Sequence, residues 1–144
     1  MAREDVDMEL TIFGGGVEID TDAVDAAPET IRRQVREYER GERRAFDLEA
    51  EPPTPFVGRV MDAMAAIPHG ETRTYGDLAA DLDTAPVAVG RACGRNPAPI
   101  VVPCHRVVGS DGGLHGYSAP GGLELKRRLL EHEGAGVQTR LDAP

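Results

Sequence analysis

The sequence predicts an α/β (α+β) chain, with a short N-terminal β-hairpin and helix followed by a winged helix-turn-helix-like domain. Three observations carry that expectation. Apolar residues alternate or cluster on either side of Gly14-Gly15-Gly16, as in a half-buried hairpin. From Phe56 onward they recur every three to four positions, between threonines and prolines that mark helix starts. A chain of 144 residues is enough for one good domain with a small appendage.

Met8 to Phe13 and Val17 to Ile19 form the expected hairpin arms. No Gly-Lys-Ser or Gly-Lys-Thr follows the three glycines and no helix opens there, so they read as a plain turn rather than a phosphate cradle. Pro28 to Arg40 reads as a helix with Ile31, Val35 and Tyr38 on one stripe, and Phe46 to Pro55 as a linker. Residues 1–54 are therefore assigned to a small N-terminal domain and linker, and residues 55–144 to the main domain. There Phe56, Val60, Met64 and Ile67 mark a core-facing helix that stops at Pro68. Thr74 is placed to cap Tyr75 to Leu82, with Asp77 completing a capping box. Thr84 is placed to cap a second helix that carries Pro86 in its first turn and ends near Gly94. The pair makes a helix-turn-helix, winged if Val107 to Leu114 forms a hairpin at Asp111-Gly112-Gly113. Leu123, Leu129 and Leu130 mark a last helix ending at Gly134.

Two cysteines, Cys93 and Cys104, with no third or fourth partner suggest neither a disulfide framework nor a cysteine-rich zinc site, and fit a reducing cytoplasm. The chain has no apolar run long enough to span a bilayer, and Met1 to Asp7 is acidic rather than a basic leader, so a soluble, unexported protein is expected. His69, His115 and His132 are scattered, which favours solvent-facing or capping roles over metal ligation.

A net charge of −9 argues at first against a polyanionic partner. The charge is unevenly spread, however. Residues 1–55 hold 15 acids and 7 arginines, whereas residues 84–128 hold six bases (Arg91, Arg95, Arg106, Lys126, Arg127, Arg128) and two acids. Lys126 is the only lysine among sixteen basic residues. An Arg-only, acid-rich surface suits concentrated salt, where screening shortens charge repulsion to a few ångströms, although a GC-rich coding bias also favours Arg.

Cys104 lies between Pro103 and His105 at the end of an apolar run. A thiolate, not a thiol, is the nucleophile, and an adjacent histidine that takes the proton can populate it near neutral pH. A lone free cysteine more commonly behaves as a small buried hydrophobe, so the surrounding pattern decides between the two. Asn96-Pro97-x-Pro99-Ile100-x-x-Pro103-Cys104-His105-Arg106-Val107 closely resembles the active-site signature of the O6-alkylguanine-DNA alkyltransferases, the methylated-DNA–protein-cysteine methyltransferases. Spaced motifs agree in order from about Thr54 to Gly134.

The resemblance implies a single-turnover repair protein that moves an alkyl group from O6 of guanine, or O4 of thymine, in duplex DNA onto Cys104 without a cofactor or metal. It also implies a monomer. His105 matches the base that acts through a water, Glu133 the carboxylate that orients it, Tyr75 the donor to N3 of the purine, and Asn96 the brace before the cysteine. Tyr117 and Ser118 fall in the guanine-pocket wall, with main-chain carbonyls at Cys104 and Val107 accepting from the exocyclic amine. The second helix is implied to lie in the minor groove, with the guanine rotated out of the stack. Thr74, Ala85, Val87, Ala88, Gly90, Arg91 and Arg95 are then the DNA-facing positions. The residues of that helix agree, since Ala85, Ala88, Gly90 and Ala92 offer little to read base edges yet allow close approach to a narrow groove.

Two departures stand out. Val87 occupies the place of an arginine that usually fills the gap left by the flipped base, which predicts weaker binding or slower flipping, with Arg91 a partial substitute. Tyr117 to Gly122 holds about two extra residues, which bears on pocket width. Three other readings are weaker. A recognition-only relative usually lacks the cysteine, a winged-helix regulator would need base-reading side chains, and a cysteine hydrolase would need an oxyanion site.

Overall fold

A computed structural model of the chain describes residues 7–109 and 122–135. Strands β1 (Asp7–Ile12) and β2 (Gly15–Asp20) pair antiparallel, with Leu10 opposite Val17 and Met8 opposite Ile19. Met8, Leu10, Ile12, Val17 and Ile19 are buried, as a two-residue period on one covered face requires.

The turn is tighter than the three glycines suggest. Its two residues are Phe13 and Gly14, both left-handed with φ of 52° and 80°, the pair of conformations that matches hairpin twist. Phe13 is held there by its N–H donating to Glu39 Oε2 at 2.9 Å and its carbonyl accepting from Arg128. Gly15 belongs to the strand for another reason. A Cβ there would come within 3.1 Å of the Leu125 side chain, so glycine lets the last helix lie against the hairpin.

Helix α1 (Pro28–Glu39) buries Ile31, Val35 and Tyr38, the stripe read from the sequence. Phe46, Leu48 and Ala50, in the segment expected to be linker, are half-buried against this core, and Ala50 bridges Val24. The same core takes in Ala98, Ile100, Leu125 and Leu129 from the rest of the chain. Hairpin and α1 thus pack directly on the segment leading to Cys104.

Helix α2 (Pro55–Ala65) is capped by Thr54 and buries Val57, Val60, Met61 and Met64. β3 (Arg73–Thr74) leads into α3 (Tyr75–Leu82), whose N-terminus has the expected capping box between Thr74 and Asp77. Asp83 turns the chain in the left-handed region, and α4 (Pro86–Cys93) follows to complete the helix-turn-helix. The expected cap at Thr84 is not made. Ala85 is the N-cap and carries no side-chain bond, because Pro86 holds its predecessor extended and moves the start one residue on.

β4 (Val107–Val108) pairs parallel with β3, Arg73 opposite Val107. These two residues therefore serve a crossover ladder. The turn expected at Asp111-Gly112-Gly113 lies outside the described residues. α5 (Gly122–His132) buries Leu125, Lys126, Leu129 and Leu130, while Leu123 is exposed. The helix stops in a left-handed Gly134, with Gly134 N–H donating to the Glu131 carbonyl and Ala135 N–H to that of Leu130. No helix among the described residues is long and apolar enough to cross a membrane.

Candidate active site

The segment before Cys104 is fixed at several points. Asn96 is buried and bridges the loop, its Nδ2 donating to the Val102 carbonyl at 2.9 Å and its Oδ1 accepting from Ala98 N–H at 3.0 Å. Val102 N–H donates to the Ala98 carbonyl and Asp20 N–H to that of Pro97, which ties β2 to the loop. Ile100 is held at φ 77°, an unfavourable conformation for a β-branched residue that persists because the bonds around it over-determine the backbone. Cys104 then opens a 3₁₀ turn, Cys104–Arg106, and is 7% exposed.

His105 is fully buried, and its Nε2 lies 2.7 Å from Glu133 Oε2. Burial pushes the imidazole below its ordinary value, outweighing the opposing pull of Glu133, so the resting ring is neutral. A neutral ring beside a carboxylate must place its hydrogen on Nε2, which leaves Nδ1 with a lone pair. Nδ1 is buried without a hydrogen-bond partner among the described residues. The ring atom free to accept a proton is thus the one turned away from Glu133.

Glu133 receives more donors than the sequence suggested. Arg106 donates from Nε to Oε1 at 2.9 Å and from Nη2 to Oε2 at 3.0 Å, and its Nη1 reaches the Ile67 carbonyl at 2.7 Å. The Tyr38 hydroxyl adds a bond to Oε2 at 2.6 Å. Burial alone would raise this carboxyl, but the bonds from His105, Arg106 and Tyr38 hold it well below the usual carboxylate range. It is a fixed anion.

Lys126 is fully buried, with its ammonium 5.7 Å from the centre of the Tyr75 ring. Burial pushes it down to about 8, against the opposing pull of Cys104 and Cys93. Tyr75 is half-buried at the start of α3. Burial, then the charges of Cys93 and Cys104, push its phenol well above the ordinary value, so it stays a donor. The second cysteine is different in kind. Cys93 lies 3.6 Å from Met64 Sδ in the core, and burial pushes its thiol up to about 12.

On α4 the exposed residues are Pro86, Val87 and Arg91, the last two one turn apart, flanked by Ala85 and Arg95; Ala88 and Gly90 are half-buried, while Val89, Ala92 and Cys93 face the core. A Cβ at Gly90 would meet nothing within 4 Å, so the fold itself does not demand glycine there. The local excess of positive charge read from residues 84–128 is mostly not a surface feature. Arg106 and Lys126 are buried, and Arg127 and Arg128 pair with Glu124 and Glu131. Arg91 and Arg95 carry what the surface shows.

The structure thus brings Cys104, His105, Glu133, Asn96 and Tyr75 into one region with Val107, whose side chain is buried and whose N–H donates to the Cys104 carbonyl. Thr74 spends its hydroxyl on the α3 cap. Tyr117 and Ser118 lie outside the described residues. Arg106, Tyr38 and Lys126 escaped the sequence reading as members of the site. Lys126 had a signal in being the only lysine, on the buried stripe of an otherwise charged helix.

Residues 55–135 match the family described as 6-O-methylguanine DNA methyltransferase, DNA binding domain. The chain is 46% identical over 106 residues to a methylated-DNA–protein-cysteine methyltransferase of Methanosarcina acetivorans, covering 72% of this chain and 67% of that protein. It is 48% identical over 103 residues to the protein of that name from Mycobacterium bovis, covering 69% and 61%. The chain spans about two thirds of the length of these curated relatives. Among solved structures, Mycobacterium tuberculosis OGT in complex with DNA superposes with a TM-score of 0.68 at 42% identity, covering 79% of this chain and 73% of that one.

Proposed function

Because the chain belongs to the methylated-DNA–protein-cysteine methyltransferase family, we propose that it repairs DNA by direct reversal, taking an alkyl group from O6 of guanine onto Cys104 in a single turnover. The observation that carries this reading is the buried His105–Glu133 contact at 2.7 Å, made by the residue next to a cysteine that a clamped loop presents. The Cys104 proton passes through a water to His105 Nδ1, and Glu133 supports the imidazolium that results. The thiolate attacks the alkyl carbon in line. A sulfur–carbon bond forms as the carbon–O6 bond breaks, and the released electron pair is taken up by the purine, to which Tyr75 donates at N3. No metal or cofactor enters this scheme.

The substrate is duplex DNA, with α4 in the minor groove and the lesion rotated out of the stack. The small half-buried Ala88 and Gly90 support close approach, and exposed Val87 acts as an apolar wedge where relatives use arginine. An open cleft of about 530 Å³ beside Arg95 and Asn96 is a poor alternative for a polyanion, since Glu18, Asp20, Asp22 and Glu51 line it. In this reading residues 55–144 form the alkyl-acceptor domain, and residues 1–54 a reduced N-terminal domain. The protein acts as a monomer in a cytoplasm that keeps Cys104 reduced, and its composition is that of a halophile.

The test is to incubate the protein in high salt with duplex DNA holding one O6-methylguanine, then weigh the intact protein and map the modified peptide. One added methyl on the Cys104 peptide, absent in Cys104→Ser, establishes repair. Tight binding without a mass gain moves the protein to the recognition-only class.

A further inference from the structure

One donor to Glu133 comes from outside the domain that supplies Cys104. The Tyr38 hydroxyl, on α1, reaches Glu133 Oε2 at 2.6 Å across 95 residues of sequence, and that oxygen is the one 2.7 Å from His105 Nε2. Tyr38 is fully buried and held from two sides. The His132 ring stands edge-on to it at 5.0 Å, the Phe46 ring lies at 5.6 Å, and His132 Nε2 donates to the Tyr38 carbonyl at 2.7 Å. Burial, then the charge of Glu133, keep the phenol protonated, so toward this oxygen it acts only as a donor. A buried tyrosine needs some partner for its hydroxyl, and a backbone carbonyl would satisfy it. Here the partner is the carboxylate that orients the base.

We propose that Tyr38 is a positioning residue of the acceptor site: its hydroxyl shares Glu133 Oε2 with His105 and so limits how strongly that carboxylate supports a proton on the imidazole. The proposal rests on the transfer reading above. Each donor on a carboxylate stabilises its charge where it stands and leaves less of it to hold a neighbouring cation. Removing the Tyr38 hydroxyl makes Glu133 a stronger partner for imidazolium. The thiolate–imidazolium pair is then favoured, and Cys104 becomes reactive at lower pH. The other charged groups acting on this relay are Arg106 and Lys126, with His69 facing Glu133 and itself acted on by Arg44 and His132; Tyr38→Phe leaves all five in place.

The experiment uses the full chain. The rate of alkylation of Cys104 by iodoacetamide is followed against pH by peptide mass, with Cys93 counted separately, in wild type, Tyr38→Phe and Val35→Ala. Val35 packs in the same core as Tyr38 and has no polar role, so its truncation reports general loosening. Tyr38→Phe is expected to move the midpoint down by roughly half to one pH unit, and Val35→Ala to leave it in place while lowering stability. Site-specific 3-fluorotyrosine at position 38, a stronger donor of nearly the same shape, is expected to move it up, and it keeps the question open to test should Tyr38→Phe fold poorly. Coincident profiles for wild type and both Tyr38 variants overturn the proposal. So does an equal shift in Val35→Ala and Tyr38→Phe. Methyl transfer from O6-methylguanine duplex is measured alongside: its absence in wild type refutes the transfer reading, whereas the iodoacetamide profiles decide on Tyr38 independently.

Discussion

Glu133→Gln keeps the side chain's shape and removes its charge, and the geometry says that it does more than slow transfer. The carboxylate accepts from Tyr38, His105 and twice from Arg106, at 2.6 to 3.0 Å. A glutamine offers one acceptor oxygen and sets an NH₂ among groups that all donate. Arg106, itself buried, is left with the Ile67 carbonyl as its acceptor. Removing one partner of a buried pair costs about 3–5 kcal/mol, because a charge stays inside without compensation. Urea unfolding at pH 7 is expected to show a loss of that size for the single variant. In Arg106→Met combined with Glu133→Gln the stranded charge is gone, and at least half of the loss should return. Transfer is then timed under conditions where each variant is folded, and both should be slow, since neither orients His105. A single-variant loss below about 1 kcal/mol, or a double variant that loses the sum of its parts, would refute the picture of one coupled buried network.

Three further outcomes follow from the same geometry. Val87→Arg adds a cation to the exposed face of α4, and should speed repair on duplex DNA and steepen the salt dependence of binding by about one unit of log–log slope; equal rates and slopes would remove Val87 from the interface. For Lys126, the gap between an ordinary 10.5 and about 8 corresponds to about 3 kcal/mol of burial cost. Lys126→Met should therefore unfold at up to that much higher free energy while its Cys104 alkylation midpoint moves to higher pH, and a midpoint that stays put would show that the ammonium does not act on the sulfur. The third outcome concerns acid. Buried His105 stays neutral while the unfolded chain protonates near 6.5, so its contribution is present above that pH and is lost as pH falls below it; His69, lowered mainly by burial, works in the same sense. Glu133, held low, adds a further loss below about 4.5. Urea midpoints should decline from pH 6.5 to 5, and a flat profile would mean that His105 is protonated at no cost.

What was legible in the sequence is what local rules write. The alternation of Met8, Leu10 and Ile12, the stripe of Ile31, Val35 and Tyr38, and the Thr74–Asp77 box each depend on neighbours a few residues away, and each is found where the sequence puts it. The misplaced cap at Thr84 shows two local rules in competition. The side-chain cap yielded to the restriction that Pro86 imposes on Ala85. What the sequence hid is long-range. Tyr38 reads as one more core aromatic, and only the folded chain sets its hydroxyl on a carboxylate 95 positions away. Arg106 and Lys126 read as surface bases because almost every Lys or Arg is one, and counting them toward a positive patch misjudged what the surface offers to DNA.

Their burial bears on the chemistry of the sulfur. Among the described residues near Cys104, Arg106 is bonded to Glu133, His105 is neutral, and Lys126 is fully buried. A buried ammonium favours a negative charge nearby, and both thiols act on Lys126 in that sense. Burial pushes Cys93 up to about 12 beside Met64, which takes it out of contention at neutral pH. Cys104 is the other, and the proton it loses has an acceptor one residue away on His105 Nδ1. Moving that proton leaves the total charge of the region unchanged and places a negative sulfur where the Lys126 ammonium attracts it. That attraction favours the thiolate before any DNA arrives, which is why Lys126, and not the surface arginines, is the base whose removal should be felt at the sulfur.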